Sequence, residues 1–294
     1  MCFLPFEGGT PECKIISFRI FRFSVTMRYQ KFQPVLELRP VVECYYIWEG
    51  EAPDGLKVQS PPNAFSSMVF NYGDPYLAWQ NSNPAVQVPR AFISGQFTSN
   101  YTLELSGRIG MAGIVLKPCS VHNIFGSRMS ELVNARVPLS FLPGVPEEIL
   151  WNAVKDQTED EGRIKILEQL VMSYLPVAKC NISIIDEAVE YIDACKGCAT
   201  VEAVAEKLNI SRRYLEKKFL EKVGVSPKFY ARLKRFGTLS NIIARQEKID
   251  WQQIVHEYDF HDQSHLVKEF IEFNQMNPSQ YHLLHREMTR FVKK

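Results

Sequence analysis

The stretch VEAVAEKLNISRRYLEKKFLEKV, residues 201–223, has the pattern of two short helices joined by a sharp turn. Thr200 and Ser211 stand directly before the two helical patterns, where a side-chain hydroxyl can accept a hydrogen bond from a free backbone amide. Asn209 lies at the turn, and asparagine tolerates the left-handed backbone conformation better than most residues do. The second helix, predicted over 212–223, has an apolar face made of Leu215, Phe219, Leu220 and Val223.

The opposite face of this second helix is mostly basic. It carries Arg212, Arg213, Glu216, Lys217, Lys218 and Lys222. Two short helices joined by a tight turn, with basic residues pointing outward from the second, are typical of a helix-turn-helix. The major groove of B-DNA admits one α-helix, and Arg and Lys can donate to guanine or to phosphates. An ordinary helical bundle with a charged surface gives the same pattern once, so both interpretations stay open at this point.

The two-helix pattern returns after residue 250. Asp250 stands before a helical pattern at 251–258, Phe260-His261 fits the turn, and Asp262 stands before a helical pattern at 263–274. Aspartate is among the residues preferred at the start of a helix, because its carboxylate accepts from the first free amides. The recurrence weakens the bundle interpretation, since the arrangement would have to arise twice by chance.

One long helix is predicted between the two copies, over 228–245. It begins after Ser226-Pro227, because proline at the first helical position loses no needed hydrogen bond. A helix of about 18 residues spans roughly 27 Å. Successive major-groove entries on one face of DNA lie about 34 Å apart. With the width of the flanking helices added, one chain could place both second helices one turn apart on a duplex.

Residues 182–290 resemble the DNA-binding domain of the AraC family of transcriptional regulators. The likeness is carried by residues 201–236 and by WQQIVHEYDFHDQSHLVKEFIEFNQMNPSQY (251–281), which contains Phe, then Asp-x-Ser-His, then Phe, then Pro-x-x-Tyr. The resemblance implies sequence-specific binding to double-stranded DNA. It implies base contacts at Arg213, Glu216, Lys217, Gln263, Ser264, Val267 and Lys268. The other predicted DNA-binding residues are Arg212 and Lys218, from the polar face of the first copy.

The two copies differ in charge and at two positions. Residues 211–245 hold ten Lys or Arg against two Glu, a net charge of +8, whereas residues 247–275 hold two Lys against seven acids, a net charge of −5. Asp259 and Gln275 stand where the family usually has Gly, and a non-Gly residue at positive φ costs roughly 1 kcal/mol or more. We therefore expect the first copy to provide most of the DNA affinity and the second to add weak, shape-dependent contacts.

The sequence between residues 41 and 120 has short β-rich runs separated by turn signals. The runs lie at 42–48, 67–72, 90–97, 101–105 and 111–116, and the turn clusters lie at 52–55, 73–75 and 81–84. This spacing predicts a sandwich or a small, cupin-like barrel. The fold class is therefore α+β, with a β-rich N-terminal domain followed by an all-α C-terminal domain that holds two helix-turn-helix units.

We divide the rest of the chain around these patterns. A β-rich regulatory domain with trailing helices is predicted at 27–174, a linker at 175–181 and the DNA-binding domain at 182–290. Residues 1–26 lack clear periodicity, and Met27 reads like a natural domain start. We expect residues 1–26 to be a poorly ordered upstream extension that results from a misassigned start codon.

Residues 27–174 resemble, more faintly, a β-rich domain without assigned biochemistry that accompanies this DNA-binding domain in some family members. The likeness is carried by VECYYIWEG, MVFNYGDPY, VPRAFISGQ and SGRIGMAGIVLKP. In better-known relatives a cupin-like barrel at this place binds an effector or makes a dimer. His122 is the only histidine of the domain, which weighs against a metal site with several His ligands and against catalysis. We expect no metal, no cofactor and no enzymatic activity.

Several aromatic residues of this domain could either line a small-molecule cavity or pack in the core. They are Tyr45, Tyr46, Trp48, Phe70, Tyr72, Tyr76, Trp79 and Phe97. Arg90 and Arg108 could either pair with an anionic effector or point into solvent. The residues alone leave both pairs of alternatives open.

Three functions are compatible with these patterns. They are a one-component transcriptional regulator, an enzyme of cupin-like fold with a DNA-binding tail, and a module that uses its basic helices to bind a protein. The resemblance favours the regulator, with operator DNA as partner and with a small-molecule effector, a second copy of the chain and RNA polymerase as further candidates. No apolar run is long enough to span a membrane. Seven scattered cysteines, an odd number, argue against a secreted disulfide framework, so we expect a cytoplasmic protein.

Overall fold

The computed structural model describes residues 13–20, 23–178 and 183–283, with side chains over 27–175 and 183–283. Its N-terminal part is one antiparallel sheet, which confirms the prediction of a β-rich domain. The strands are β1 (Cys13–Ile20), β2 (Phe23–Phe32), β3 (Val42–Ser60), β4 (Ser66–Asn71), β5 (Leu77–Gln80), β6 (Val86–Gln87), β7 (Ala91–Ser94), β8 (Tyr101–Leu116) and β9 (Arg136–Pro138). The strand order is β1-β2-β3-β8-β4-β7-β9, and β5 pairs with β6 and with the first residues of β8.

Strand β1 and the start of β2 fall within residues 1–26. They form an antiparallel hairpin in which Cys13 pairs with Gln30. The rest of that segment lies outside the described residues. Our interpretation of residues 1–26 as an upstream extension stays a prediction.

Two strands are longer than the sequence pattern predicted. The Pro-Asp-Gly cluster at 52–55 does not end β3 but forms a bulge, because the register between β3 and β8 shifts between Ala52 and Leu56. A bulge leaves residues without a ladder partner, so the proline is tolerated there, and Gly55 supplies the required φ of 70°. The runs at 101–105 and 111–116 were predicted as separate strands, but they are the two ends of the continuous β8.

The sheet curls around one of its faces. A cavity on that face is lined by Tyr29 from β2 and by Arg136 from β9, which are five strand spacings apart in the sheet order. In a flat sheet these strands would lie about 24 Å apart, so the sheet must bend to bring them to one cavity. Among the described strands no ladder joins β1 to β9, so the domain is an open, curled sheet.

Helices cover the other face of the sheet. They are α1 (Ser120–Phe125), α2 (Glu147–Asp156) and α3 (Asp160–Ala178). Apolar side chains of these helices pack against Tyr45 and other sheet residues in one buried cluster. Arg28 of β2 and Arg163 of α3 share the carboxylates of Glu49 and Asp160, which ties α3 to the sheet.

Two of these helices differ from the expected bounds. The sequence pattern at 123–133 is compatible with a helix, but α1 ends at Phe125, because Gly126 adopts a left-handed conformation there and a separate 3₁₀ turn follows at Met129–Glu131. Helix α3 was expected to end at Tyr174, but it continues to Ala178. The start of the predicted linker at 175–181 is therefore helical. Its last residues lie outside the described ranges, so the domain division stays a prediction.

The helices predicted in the C-terminal part lie close to their predicted bounds, and residues 278–283 are helical as well. Six helices have both ends within the described residues. They are α4 (Ile184–Ala194), α5 (Val201–Lys207), α6 (Arg212–Val223), α7 (Pro227–Arg245), α8 (Trp251–Glu257) and α9 (Gln263–Asn274). The predicted apolar face of α6 is buried except at Leu220, which is 48% exposed. Within the described ranges, none of the helices combines the length and the apolar character that a membrane crossing needs.

Candidate nucleic-acid interface

The helices of both helix-turn-helix units begin at side chains that accept from free backbone amides. Thr200 and Ser211 each accept from the amide three residues further on, at 3.1 and 3.2 Å. Asp250 accepts from two amides at 3.0 Å, and Asp262 accepts from the amide of His265 at 2.7 Å. The bond from His265 lowers the pKa of Asp262. The four predicted helix starts are confirmed, and they set the first turn of α6 and α9.

Both units use the left-handed conformation at the same two places. The turn residues are Asn209 and Asp259, each at a φ of 52°. Helix α6 ends on Gly224 at a φ of 93°, and α9 ends on Gln275 at a φ of 58°. The second unit therefore holds two residues other than Gly or Asn at positive φ, each at a steric cost of about 1 kcal/mol. This agrees with the strain that the sequence predicted.

Helix α6 presents its N-terminal half to solvent. Arg213 and Lys217 are exposed, and neither makes an ion pair with a described residue. They lie four residues apart, so they share one face of the helix. Their positive groups are therefore available together to a polyanion.

The other predicted residues of α6 are held by acidic neighbours. Arg212 donates to Glu216 at 2.9 Å and to Glu202 at 2.5 Å. The hydrogen bond to Glu216 is the main cause that raises the pKa of Arg212. Lys218 donates to Glu221 at 2.8 Å. These side chains would have to exchange an existing partner before they could contact a base or a phosphate.

Helix α9 presents a less charged surface. Gln263, Ser264 and Lys268 are exposed, and Lys268 makes no ion pair with a described residue. Ser264 and Lys268 are four residues apart and share one face. Val267 is half-buried and packs against the core between α8 and α9. The structure thus leaves three of the four predicted residues fully accessible.

Helix α7 connects the two units without interruption. Its 19 residues correspond to about 28 Å at the rise of an α-helix. Near its start, Tyr230 donates to Asp193 of α4 at 3.0 Å, and the ammonium of Lys234 lies 3.0 Å from the same carboxylate. Burial raises the pKa of Asp193, while Lys234 acts against that rise. These contacts fix α7 to the first unit.

A buried carboxylate fixes α7 to the second unit as well. Glu269 of α9 is only 5% exposed and accepts from Arg232 at 2.8 Å and from Arg235 at 2.9 to 3.1 Å. Arg232 also donates to Glu272 at 2.6 Å. Together with Lys234, and with Arg212 and Lys218 of α6, at least five of the ten basic residues of 211–245 are thus paired with acids inside the domain. The net charge of +8 therefore overstates what that segment offers to DNA.

The C-terminal end of α6 packs against the N-terminal domain. Lys222 donates to Asn123 of α1 at 3.2 Å, and Asn123 donates to Asp186 of α4 at 3.1 Å. Gly224 lies so close to the Met129 carbonyl that an added Cβ would be 2.7 Å from its oxygen. The sequence did not predict this contact, because its partners are far apart in the chain.

The concave face of the sheet holds a cavity of about 50 Å³. Of the eight aromatic residues considered above, four line it: Tyr46, Trp48, Tyr76 and Phe97. Three others pack under the helices on the opposite face: Tyr45, Phe70 and Tyr72. Trp79 lies beneath the ammonium of Lys57.

Neither of the two arginines considered above lines this cavity. Arg90 pairs with Glu148, and Arg108 donates to the Tyr72 carbonyl at 2.8 Å. The cation that lines the cavity is Arg136, which no local sequence pattern distinguishes from other surface arginines. Arg136 reaches the cavity because β9 pairs with β7, a contact between strands that are distant in the sequence.

Two family models match the chain. Residues 204–283, from α5 to the end of the described region, match a helix-turn-helix domain. The chain is a DNA-binding transcriptional regulator with an AraC-type helix-turn-helix domain. Residues 30–138 of the regulator match a domain of unknown function, DUF6597.

Several solved structures are similar to the regulator. The C-terminal domain of the response regulator AraT from Geobacillus stearothermophilus is 23% identical, with a TM-score of 0.32, over 34% of this chain and 84% of that one. The C-terminal domain of the response regulator yesN from Fusobacterium nucleatum is 23% identical, with a TM-score of 0.31, over 34% of this chain and 99% of that one. ToxT from Vibrio cholerae is 11% identical, with a TM-score of 0.45, over 81% of this chain and 97% of that one. No curated protein matches the chain significantly.

Proposed function

We propose that the regulator binds one face of an operator duplex with α6 and α9 together, each in a major groove. The observation that carries this proposal is the continuous helix α7. It is fixed to the first unit by Asp193, which contacts Tyr230 and Lys234. It is fixed to the second unit by the buried Glu269, which contacts Arg232 and Arg235. A spacer tied to both units keeps the two groove-facing helices at a constant separation, which is what recognition of two sites one turn apart requires.

The two units contribute unequally in this proposal. Arg213 and Lys217 of α6 supply charge to phosphates and donors to guanine. Gln263 and Ser264 of α9 can hydrogen-bond to base edges, and Val267 can contact a thymine methyl group. Lys268 is the one predicted cation of α9. The first unit then carries most of the affinity, and the second adds selectivity.

The test is DNA binding by the full chain at increasing salt. A duplex is first selected from a random library with the purified protein, and its affinity is then followed by fluorescence anisotropy. We expect the logarithm of the association constant to fall linearly with the logarithm of the salt concentration, because phosphate contacts release counterions. Absence of DNA binding, together with saturable binding to an acidic protein, would favour the protein-interaction alternative instead.

For the N-terminal domain we infer a regulatory role in which the cavity takes an effector. The cavity, with its mixture of aromatic walls and a few polar groups, supports this role. Dimerisation through the same domain is checked by analytical ultracentrifugation of the full chain with and without its duplex. Steady turnover of a substrate by the full chain would contradict the non-enzymatic role proposed here. The free thiols of the described Cys44, Cys119, Cys195 and Cys198 suit a reducing cytoplasm.

A further inference from the structure

Three polar side chains form a row across one wall of the sheet cavity. The strand register pairs Ser67 of β4 with Ser94 of β7, and Ser94 with Arg136 of β9. Residues that are paired across neighbouring strands point to the same face, and all three of these line the cavity. Both serines are buried, and their hydroxyl oxygens lie 2.9 Å apart. Two hydroxyls and a guanidinium therefore stand side by side.

Some hydrogen-bond donors of this row have no acceptor among the described residues. The two serines share one hydrogen bond, so one hydroxyl hydrogen stays available. The guanidinium of Arg136 lies 4.5 Å from the centre of the Phe97 ring and 4.4 Å from that of Tyr101, and it makes no ion pair with a described residue. Stacking on ring faces leaves the N–H groups at its edge free to donate. The row thus offers a positive charge and several donors.

A buried tyrosine adds a further donor. Tyr29 also lines the cavity and is 3% exposed, and its hydroxyl has no hydrogen-bond partner among the described residues. Burial raises the pKa of Tyr29, so the hydroxyl keeps its proton at neutral pH and can donate. A buried polar atom without a protein partner is completed by a water, an ion or a bound molecule, so this hydroxyl is available to a ligand in the cavity.

The remaining wall limits the size and the chemistry of that molecule. Most of the wall is apolar or aromatic, from residues such as Trp48, Phe92, Leu103 and Met111. The volume of about 50 Å³ corresponds to about four water-sized bodies. A phosphate dianion would need more than one cation, and a sugar would need more polar partners than this wall offers. A single carboxylate on a short apolar body fits both the donors and the apolar wall.

We propose that the cavity binds a short-chain monocarboxylic acid, with the carboxylate held by Arg136, Ser94 and Ser67, and that the segment 62–65 transmits its occupancy to the DNA-binding domain. This inference rests on the proposed role of the N-terminal domain as the sensing part of the regulator. It adds the chemical class of the effector and the residues that report it.

The segment 62–65 has side chains in the sheet cavity and in the core of the DNA-binding domain. Asn63 and Phe65 line the cavity, and the Asn63 side-chain oxygen has no hydrogen-bond partner among the described residues. Ala64, between them, packs against the core of the first helix-turn-helix unit and against the cluster of α7 and α9. A ligand that displaces Phe65 or bonds to Asn63 therefore shifts a residue that touches both units.

Binding is tested on the full chain with acetate, propionate and butyrate, at constant ionic strength, by calorimetry and by the fluorescence of the protein. We expect at least one of these acids to bind, and its neutral amide to bind much more weakly. Arg136→Gln should lower the acid's affinity by about tenfold or more, because it removes hydrogen bonds to a charged group. Ser94→Ala should cause a smaller loss.

The matched control is Arg90→Gln. Arg90 also stacks on an aromatic ring, that of Trp151 at 4.3 Å, but outside the cavity, so this change should leave acid binding unaltered. If Arg136→Gln fails to fold, Arg136→Lys serves in its place, since it keeps the charge but loses the planar fork. Binding of none of the three acids to the unmodified chain, or equal affinity of the Arg136 variant and the unmodified chain, overturns the proposal.

Transmission is tested by measuring affinity for the selected duplex with and without the bound acid. The acid is added at a concentration near its dissociation constant for the unmodified chain. We expect a change of severalfold in the unmodified chain and a much smaller one in Arg136→Gln, because the variant's site is then mostly empty and the two affinities are linked. An acid that binds without altering DNA affinity refutes the role of segment 62–65. Because acid binding is measured without DNA, a failure of DNA binding would count against the proposed function and not against the site.

Discussion

The two helix-turn-helix units follow one plan but are held in different ways. Each has a side-chain cap before both helices and a left-handed residue at the turn. The first unit ends on Gly224 against the N-terminal domain, whereas the second is tied to α7 through the buried Glu269. Local sequence therefore sets where each groove-facing helix begins and ends. Residues distant in the chain determine which contacts fix that helix and which of its charged side chains are unpaired.

The largest expected effect comes from the tie that holds the second unit. Glu269→Gln leaves Arg232 and Arg235 without their shared carboxylate in a mostly buried position. We expect the free energy of unfolding to fall by about 3 kcal/mol, as for other broken buried ion pairs. Denaturant unfolding of the full chain measures the loss, and hydrogen exchange should locate it in α9.

The matched control for this change is Glu272→Gln. Glu272 also pairs with Arg232, but its side chain is 54% exposed, so we expect a loss below about 1 kcal/mol. Similar losses in the two variants would show that Glu269 is not the contact that fixes α9 to α7.

A smaller effect separates the DNA affinity of the two units. Lys217→Ala should weaken binding to the selected duplex by about tenfold and reduce the salt dependence by about one phosphate contact. Lys268→Ala should cost clearly less, because α9 belongs to an acidic segment. Lys57→Ala, in the sheet, controls for the loss of a positive charge as such. Equal losses at Lys217 and Lys268 would contradict the unequal division.

The smallest effect has opposite signs in the two units. Gly224→Ala places a Cβ at a φ of 93° and close to the Met129 carbonyl, so it should destabilise the chain by at least about 1 kcal/mol. Gln275→Gly relieves a left-handed residue and should stabilise by up to about 1 kcal/mol. Thermal unfolding of both variants and of the unmodified chain measures whether each change lowers or raises the stability. A shift of both melting temperatures in the same direction would contradict the view that Gly224 is unstrained and Gln275 is strained at equivalent helix ends.

The sequence predicted best what depends on neighbouring residues. The bounds of α6 and α9 and the four side-chain caps were correct, because a hydroxyl or carboxylate three residues before an amide acts locally. The strain at Asp259 and Gln275 was predicted from the resemblance to the AraC family, which usually has Gly at both positions. The exposure of Leu220 was not, since no local pattern shows how far its partner surface extends.

What could not be predicted depends on strand register and on long-range contacts. The row of Ser67, Ser94 and Arg136 exists only because three strands pair in one register. The ion pairs of α7 join residues more than thirty positions apart. From the sequence alone, all the basic residues of 211–245 were candidates for contact with DNA, although several of them pair with acids of the same domain.

The claim that two helices on one spacer contact the same face of the duplex is tested most directly by hydroxyl-radical footprinting of the full chain on its selected duplex. We predict two protected regions one helical turn apart, about 10 base pairs, on the same face of the DNA. In Glu269→Gln the region assigned to α9 should weaken while that of α6 remains. A single protected region, or two regions on opposite faces of the duplex, would contradict the account.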